Sequence, residues 1–309
     1  MKPKVHGLHH FTAIAGDPTE NAKFYVNTLG LRMVKKTVNH DAPEMYHLFY
    51  GDREGNPGTS VTFFPGMAQQ QGESGAGMIT ELGLKIPGKS LHYWKDRLEE
   101  KEVQYEEVEW NRKETIRFED PDGLPLRLVP EDTGEYSPWP ESTVIEENQI
   151  RGMNHVTIQA HSTDNLEKVL DIMNLEKQEE STNTYYRAED GSGVEIIETS
   201  QHGRMGRGSV HHTAFKAADN KGELEKWRDQ LQRIGLQPSP VISRKYFSSI
   251  YCRMPTGVLF EFSTMGPGYT ADESVEELGT NFVLPEELQE RKEEIIKNLP
   301  EFSEEEINQ

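Results

Sequence analysis

The sequence predicts an α+β fold built from four copies of one strand–helix–strands (βαβββ) module, which form two domains with mixed, curved sheets around a cavity. Two observations lead to this prediction. An alternating, strand-like motif recurs along the chain and is followed by helix-like segments, and each copy closes with a turn sequence and a further strand. The length of 309 residues also suits two domains of ordinary size.

The first strand of each copy is recognisable by its alternation of apolar and polar residues, which is typical of a half-buried strand. Helical spacing of apolar residues follows the first copy at 18–29 and the last copy at 220–234. The copies of the strand motif, of which the second is the weakest, begin the segments 7–15, 78–84, 153–160 and 209–217.

The end of each copy is marked by glycine-containing turn sequences of the kind that hairpins require. A proline-containing stretch near 138–146 predicts a linker, so we expect domains at 1–140 and 150–270, each with two modules. Residues 271–309 predict an acidic helical tail that starts its helix at Pro285. The four turns lie at 56–58, 120–123, 190–193 and 254–257.

The charge balance excludes several classes of function. The chain has 33 Lys plus Arg against 53 Asp plus Glu, a formal charge of −20, which disfavours nucleic-acid and anionic membrane partners. The start of the chain has no apolar signal core, and the sequence contains no apolar run long enough to cross a bilayer. These features predict a soluble, cytoplasmic protein.

Metal ligation by sulfur is also disfavoured, because Cys252 is the only cysteine. Any bound metal would be held by nitrogen and oxygen, and the 11 histidines supply the nitrogen. Neither a disulfide within the chain nor a thiolate zinc site is expected.

One carboxylate stands out in the last strands of the copies. Four residues after the turn glycine, the copies place Thr62, Arg127, Ile197 and Glu261. Glu261 lies in the apolar run 257–262, where an unpaired, ionised glutamate would be costly to bury. We therefore expect a cation, either a metal or an arginine, beside Glu261.

Histidines recur at one position of the first strands, at His10, His155 and His212. Two imidazoles and a carboxylate from separate strands form the ligand set of non-haem Fe(II) enzymes, although zinc and manganese tolerate it as well. A single strand histidine is more often a packed side chain than a ligand, but the repeated placement favours a metal cavity. Spacing alone leaves His10 and His155 as alternative partners of His212 and Glu261.

Two of these histidines have a histidine directly before them, at His9 and His211. Strand alternation sends neighbouring side chains to opposite faces of a sheet. Only one member of each pair is therefore expected to enter the cavity directly, unless a bulge redirects the other.

These segments resemble the vicinal-oxygen-chelate superfamily, which comprises glyoxalases, bleomycin-resistance proteins and extradiol dioxygenases. Within it, the chain is most similar to two-domain dioxygenases that cleave the ring of para-hydroquinones. The resemblance covers nearly the whole chain to about residue 279. Its most specific parts are 8–12, 46–50, 57–59, 210–215, 244–247, Tyr251, Arg253 and Glu261.

The resemblance implies an Fe(II)-dependent enzyme that incorporates both atoms of O2 into a small aromatic substrate, with the first copy facing the fourth across one cavity. Its iron ligands would be His10, His212 and Glu261. A homo-oligomer is compatible with it, and neither nucleic acid nor membrane is an implied partner. Supporting catalytic roles would fall on His9, Thr12, His211, Arg244 and Tyr251.

Three alternative functions stay open at this point. An extradiol catechol dioxygenase would pair the third and fourth copies and use His155 in place of His10. A glyoxalase-like isomerase would need a second carboxylate ligand, whereas Thr62 stands at that position of the first copy. A quinone-binding module would need no metal at all.

Overall fold

The computed structural model describes residues 3–178 and 183–307, and these form two eight-stranded mixed sheets with helices packed against them. The predicted α+β class is confirmed, and all four copies of the module are present. Within the described ranges, none of the helices combines the length and the apolar character needed to span a membrane.

The first copy begins with a fully buried strand and a capped helix. The Asp17 side chain accepts hydrogen bonds from the backbone amides of Thr19 and Glu20, and Pro18 occupies the first turn. The helix predicted over 18–29 is present, but its second half is π-helical. The elements are β1 (Gly7–Ala15), α1 (Pro18–Ala22), a π-helical segment (Lys23–Thr28), β2 (Arg32–Asn39), β3 (Ala42–Gly51) and β4 (Ser60–Pro65).

The second copy is complete, although its sequence motif is the weakest. Its helix buries Trp94 and Leu98 against the sheet, which matches the apolar spacing of that segment. The elements are β5 (Met78–Ile86), α2 (Leu91–Glu100), β6 (Tyr105–Trp110), β7 (Lys113–Glu119) and β8 (Pro125–Pro130).

The third copy follows a short 3₁₀ turn, Glu146–Asn148, in the predicted linker. Its helix buries Leu166, Val169 and Leu170, which share one face. The elements are β9 (Met153–Ala160), α3 (Asp164–Ile172), β10 (Glu176–Lys177), β11 (Thr184–Arg187) and β12 (Gly193–Glu198).

The fourth copy has the longest helix of the described ranges. Asn220 caps it by accepting a hydrogen bond from the Glu223 amide, and the buried Trp227 donates its indole N–H to the Ala217 carbonyl oxygen at 2.8 Å. The elements are β13 (Val210–Ala218), α4 (Lys221–Arg233), β14 (Ile242–Ser243), β15 (Ser248–Arg253) and β16 (Leu259–Thr264).

The two sheets do not follow the order of the copies along the chain. The first sheet joins the first and fourth copies in the order β14-β15-β16-β13-β1-β4-β3-β2, and the second sheet joins the third and second copies in the order β10-β11-β12-β9-β5-β8-β7-β6. Each sheet thus contains one copy from each predicted domain, and the boundaries at 1–140 and 150–270 stay a prediction. At the centre of the first sheet, β1 pairs antiparallel with β13.

The acidic tail packs on the first sheet. The prediction that its helix starts at Pro285 was wrong in detail, because a 3₁₀ segment (Glu286–Arg291) follows that proline and α5 (Lys292–Asn298) comes after it. The other tail elements are a 3₁₀ turn (Tyr269–Ala271) and α6 (Glu304–Ile307).

A buried ion-pair cluster holds the start of the tail to β2. Lys35 has no solvent exposure, and its ammonium lies 2.8 Å from Asp272 Oδ1 and also contacts Glu273. The Tyr246 hydroxyl donates to Asp272 Oδ2 at 3.1 Å. The tail therefore supports the segment of the fourth copy that contains Tyr246.

We expect Lys35→Met to lower the free energy of unfolding by about 3 kcal/mol, because it leaves the poorly accessible Glu273 carboxylate without its cation, while Asp272 keeps only Lys245. Urea unfolding at neutral pH measures this change, and protease sensitivity of the tail should rise with it. The control is Lys23→Met, which removes the solvent-screened pairs with Glu20 and Glu306 and should cost much less stability than Lys35→Met. Equal losses in the two variants would contradict a buried role for Lys35.

Candidate metal centre

Three potential metal ligands converge at the centre of the first sheet, where β1, β13 and β16 are neighbours. His10 Nε2 lies 3.3 Å from His212 Nε2 and 3.3 Å from Glu261 Oε2. His212 Nε2 lies 3.0 Å from the same carboxylate oxygen. All three residues are buried, so these donor atoms form a compact group shielded from bulk water.

A bulge in β1 determines where His9 points. Leu8 lies opposite Phe215 and His10 lies opposite Ala214, so His9 is the extra residue between them. Such a bulge breaks the alternation of side chains. Consequently His9 Nδ1 lies 3.0 Å from His10 Nδ1 instead of facing away from it.

A second bulge, in β13, does the same for His211. Here Thr12 lies opposite His212 and Ala13 lies opposite Val210, which leaves His211 as the extra residue. Its Nδ1 lies 2.8 Å from His212 Nδ1. Each potential histidine ligand thus forms a hydrogen bond, through its Nδ1, with the histidine that precedes it in the sequence.

The hydrogen bonds assign the proton positions of the first pair. His9 Nε2 lies 3.1 Å from the Thr264 carbonyl oxygen, which can only accept, so His9 carries its proton on Nε2. His9 Nδ1 then accepts from His10 Nδ1–H, and the lone pair of His10 Nε2 is left for a metal. Burial lowers the pKa of His9 to about 3, which keeps its ring neutral.

The second pair works in the same way if His212 donates from Nδ1 to His211 and keeps its Nε2 lone pair for a metal. The pKa of His211 is lowered to about 4, first by burial and then by His212. The neutral His211 ring then carries its proton on Nε2. Because His211 also lines the cavity, it can offer a hydrogen-bond donor there.

Glu261 supplies the negative charge of the group. Burial alone would raise the pKa of Glu261, but His10 and His212 hold it well below its ordinary value. The Ser263 hydroxyl donates to the other carboxylate oxygen, Oε1, at 3.1 Å. In the described part of the chain, no Lys or Arg forms an ion pair with Glu261, so the expected cation is not an arginine.

This donor set fits a divalent metal. Two imidazole nitrogens and a carboxylate lie together, and among the described residues no Lys or Arg pairs with this carboxylate. Three protein ligands would also leave coordination positions for other molecules. Iron, zinc and manganese all accept such ligands, so the donor set gives the site but not the element.

A cavity of about 400 Å³ opens beside the three ligands. Its wall is mostly apolar, and Phe247 packs on both imidazoles of the first pair, with ring centroids 5.0 Å from His9 and 5.1 Å from His10. Most of its other apolar lining comes from Met45, Phe49, Phe64, Met67 and Leu259. The cavity suits a small ligand with a largely apolar body.

Arg244 and Tyr251, both predicted from sequence, lie together in this wall. Arg244 Nε donates to the Tyr251 hydroxyl at 3.0 Å, and Arg244 also pairs with Asp41 at 3.3 Å. Burial and then the charge of Glu261 raise the pKa of Tyr251 above its ordinary value, so the phenol keeps its proton. Tyr251 can therefore donate a hydrogen bond inside the cavity.

Thr12, the remaining predicted residue, is fully buried next to the ligands. Its hydroxyl oxygen lies 3.0 Å from His212 Nε2 and 2.8 Å from the Thr62 hydroxyl oxygen. Thr62 in turn lies 3.0 Å from His47 Nε2. The sequence did place Thr62 at the position that corresponds to Glu261, and 46–50 belonged to the family resemblance, but no role was predicted for His47.

His155, the alternative to His10, belongs to the second sheet. It lies at the position in β9 that corresponds to His10 in β1, and Gly83 is opposite it as Ala214 is opposite His10. Its nearest carboxylate is that of Glu81, with 3.7 Å between His155 Nε2 and Glu81 Oε1. The structure therefore does not bring His155 together with His212 and Glu261.

Arg127 takes the place of Glu261 in this second sheet, because it too lies opposite Gly83. Its guanidinium binds Glu81 through two hydrogen bonds of 2.6 and 3.2 Å, and Arg117 donates to the same carboxylate at 2.7 Å. The Trp110 ring stacks on His155 with 4.2 Å between centroids. Where the first sheet brings together three potential metal ligands, the second sheet contains a buried ion pair.

Comparison with known proteins agrees with this architecture. Residues 7–83 match the family described as the Glyoxalase/Bleomycin resistance protein/Dioxygenase superfamily. The chain is 37% identical to MhqA of Bacillus subtilis, which is named as a candidate ring-cleaving dioxygenase, over 96% of this chain and 98% of MhqA. It is 34% identical to a chlorohydroquinone/hydroquinone 1,2-dioxygenase of Sphingobium indicum over 97% of both chains.

A solved structure is similar over the same extent. The crystal structure of a candidate dioxygenase from Bacillus subtilis superimposes with a TM-score of 0.93 at 36% identity, covering 97% of this chain and 98% of that one. The arrangement of both sheets is thus shared with a solved protein.

Proposed function

Because the chain belongs to the glyoxalase/bleomycin resistance protein/dioxygenase superfamily, we propose that it is an Fe(II)-dependent dioxygenase that opens the ring of para-hydroquinones with O2. The observation that carries the proposal is the buried group of His10, His212 and Glu261 at the wall of an apolar cavity. The name of the Sphingobium indicum relative supports hydroquinone as the substrate class.

Fe(II) is the proposed metal, and when bound by two histidines and one carboxylate it supplies the redox chemistry that lets O2 react with an aromatic ring. The proposed ligands are His10, His212 and Glu261. His9 and His211 would hold the two imidazoles in the tautomer that leaves Nε2 free for the metal.

The cavity residues would bind and orient the substrate. The apolar wall accepts the aromatic ring, and Phe247 restricts its position next to the ligands. Tyr251 keeps its proton and can donate to a phenolate oxygen, while Arg244 fixes the Tyr251 hydroxyl and adds positive charge. His211 Nε2–H can donate a proton to an oxygen that becomes basic during ring opening.

The alternatives differ in the ligands that they require. A glyoxalase-like isomerase would need a second carboxylate, and the hydroxyl of Thr62 occupies that place here. A module that binds quinones without a metal would gain nothing from a buried carboxylate between two imidazoles. A catechol dioxygenase shares the proposed chemistry and is the nearest alternative.

The test is anaerobic reconstitution with Fe(II), followed by O2-uptake measurements with hydroquinones and catechols. We expect one O2 consumed per ring opened, with hydroquinones turned over faster than catechols. Faster turnover of catechols would show that catechols, and not para-hydroquinones, are the substrate class. Isomerisation of a thiohemiacetal without O2 uptake, or stoichiometric quinone binding without turnover, would overturn the proposal.

A further inference from the structure

His47 on β3 lines the cavity, and the proposed function gives it no role. Its ring packs against Phe49 and Phe64, with centroids 3.9 and 4.4 Å away. Its Nε2 lies 3.0 Å from the Thr62 hydroxyl oxygen. Two aromatic neighbours and one hydrogen bond hold the imidazole in a single orientation.

The second nitrogen of this ring is available to a ligand. His47 Nδ1 has no hydrogen-bond partner among the described residues, and the His47 side chain is not fully buried. The open space next to His47 is the cavity, so a ligand in the cavity can reach this nitrogen. Burial lowers the pKa of His47 well below its ordinary value, so the ring is a neutral hydrogen-bonding group.

A chain of two hydrogen bonds links His47 to Thr12, which lies next to the proposed metal ligands. It runs from His47 Nε2 through the Thr62 hydroxyl to the Thr12 hydroxyl, with steps of 3.0 and 2.8 Å, and the Thr12 oxygen lies 3.0 Å from His212 Nε2. Both threonines are fully buried. This chain fixes the place of His47 relative to the ligands without making His47 one of them.

A para-hydroquinone has its two hydroxyls at opposite ends of the ring. If one end binds at the ligands, the other hydroxyl enters a mainly apolar cavity, where it loses its hydrogen bonds to water unless the protein replaces them. Arg244 is already engaged with Tyr251 and Asp41. The accessible nitrogen of His47 has no such engagement.

From this arrangement, and on the basis of the proposed function, we propose that His47 Nδ1 binds the distal hydroxyl of a para-hydroquinone and so selects para substrates. A site that hydrogen-bonds a substrate hydroxyl discriminates against an analogue that lacks it. Catechol, whose hydroxyls are adjacent, would present a C–H group at the distal position. His47 is thus assigned to substrate selection.

The test compares anaerobic binding of hydroquinone and phenol to the Fe(II)-loaded protein by calorimetry. We expect the native protein to bind hydroquinone at least about tenfold more tightly than phenol. His47→Phe, which keeps an aromatic ring, should abolish this preference by weakening hydroquinone binding alone. His47→Gln should recover part of it, and the control His92→Phe, the same substitution at an exposed histidine of α2 outside the cavity, should keep it.

The outcomes separate the two proposals. An unchanged preference in His47→Phe, with normal iron content, would overturn the role of His47 and leave the proposed function in place. Equal loss of affinity for hydroquinone and phenol in His47→Phe would also overturn the role of His47, because that pattern indicates a general disturbance of the cavity. Failure of the loaded native protein to bind hydroquinone at all would overturn the proposed function, and the role of His47 with it.

Discussion

Glu261→Gln is expected to lower the affinity for Fe(II) by more than about 100-fold, because it replaces an ionised ligand by a neutral amide of the same shape. The carboxylate is the only anionic member of the group and lies within 3.3 Å of both potential histidine ligands. Iron content after gel filtration and an anaerobic Fe(II) titration measure the loss. Neither readout depends on turnover.

The control for this prediction is Glu195→Gln in the second sheet. Glu195 is equally buried, but it accepts hydrogen bonds from Trp110, Thr157 and Asn183. The Glu195→Gln variant should therefore bind as much iron as the native protein. If Glu261→Gln retained as much iron as the native protein, the proposed ligand set would be wrong.

Arg127→Leu is expected to lower the free energy of unfolding by about 3–5 kcal/mol, because it leaves the buried Glu81 without its main partner. Burial alone would raise the pKa of Glu81, but His155 and Arg127 hold it below its ordinary value. Arg117 also pairs with Glu81 but is itself much more exposed. Equilibrium unfolding in urea measures the change.

The double variant Arg127→Leu with Glu81→Leu separates an ion-pair effect from a packing effect. It removes both charges, so much of the lost stability should return. Lys95→Ala is the control at the surface, where Lys95 pairs with Glu107 and Glu114, and should cost much less stability than Arg127→Leu. A loss in the double variant larger than in Arg127→Leu alone would contradict the interpretation.

The class of fold could be predicted because its signals are local. Alternation of apolar and polar residues identifies a strand by itself, and a glycine-containing turn identifies the strand that follows it. Four modules can therefore be predicted without knowledge of the contacts between them. The same counting brought out Glu261 and Arg127 as equivalent positions with different chemistry. It could not tell that Arg127 neutralises Glu81, since that pair joins different strands of the second copy.

The bulges could not be predicted, because a bulge exists only relative to a partner strand. Alternation alone placed His9 and His211 on the faces opposite to their neighbours, whereas the extra residues in β1 and β13 bring them behind His10 and His212. Periodicity likewise left His10 and His155 equivalent. The pairing of β1 with β13 distinguishes them, and this pairing joins segments about 200 residues apart.

The order of the sheets along the chain has a consequence for biosynthesis. The second sheet is contiguous from β5 to β12, whereas the first sheet needs both the earliest and the last strands. On the ribosome, the middle of the polypeptide can form the second sheet before β13 and β16 have been translated. Until then, β1 lacks the strands that complete the first sheet. Iron capture by the proposed ligands would then be among the last steps of maturation, after nearly the entire chain has been synthesised.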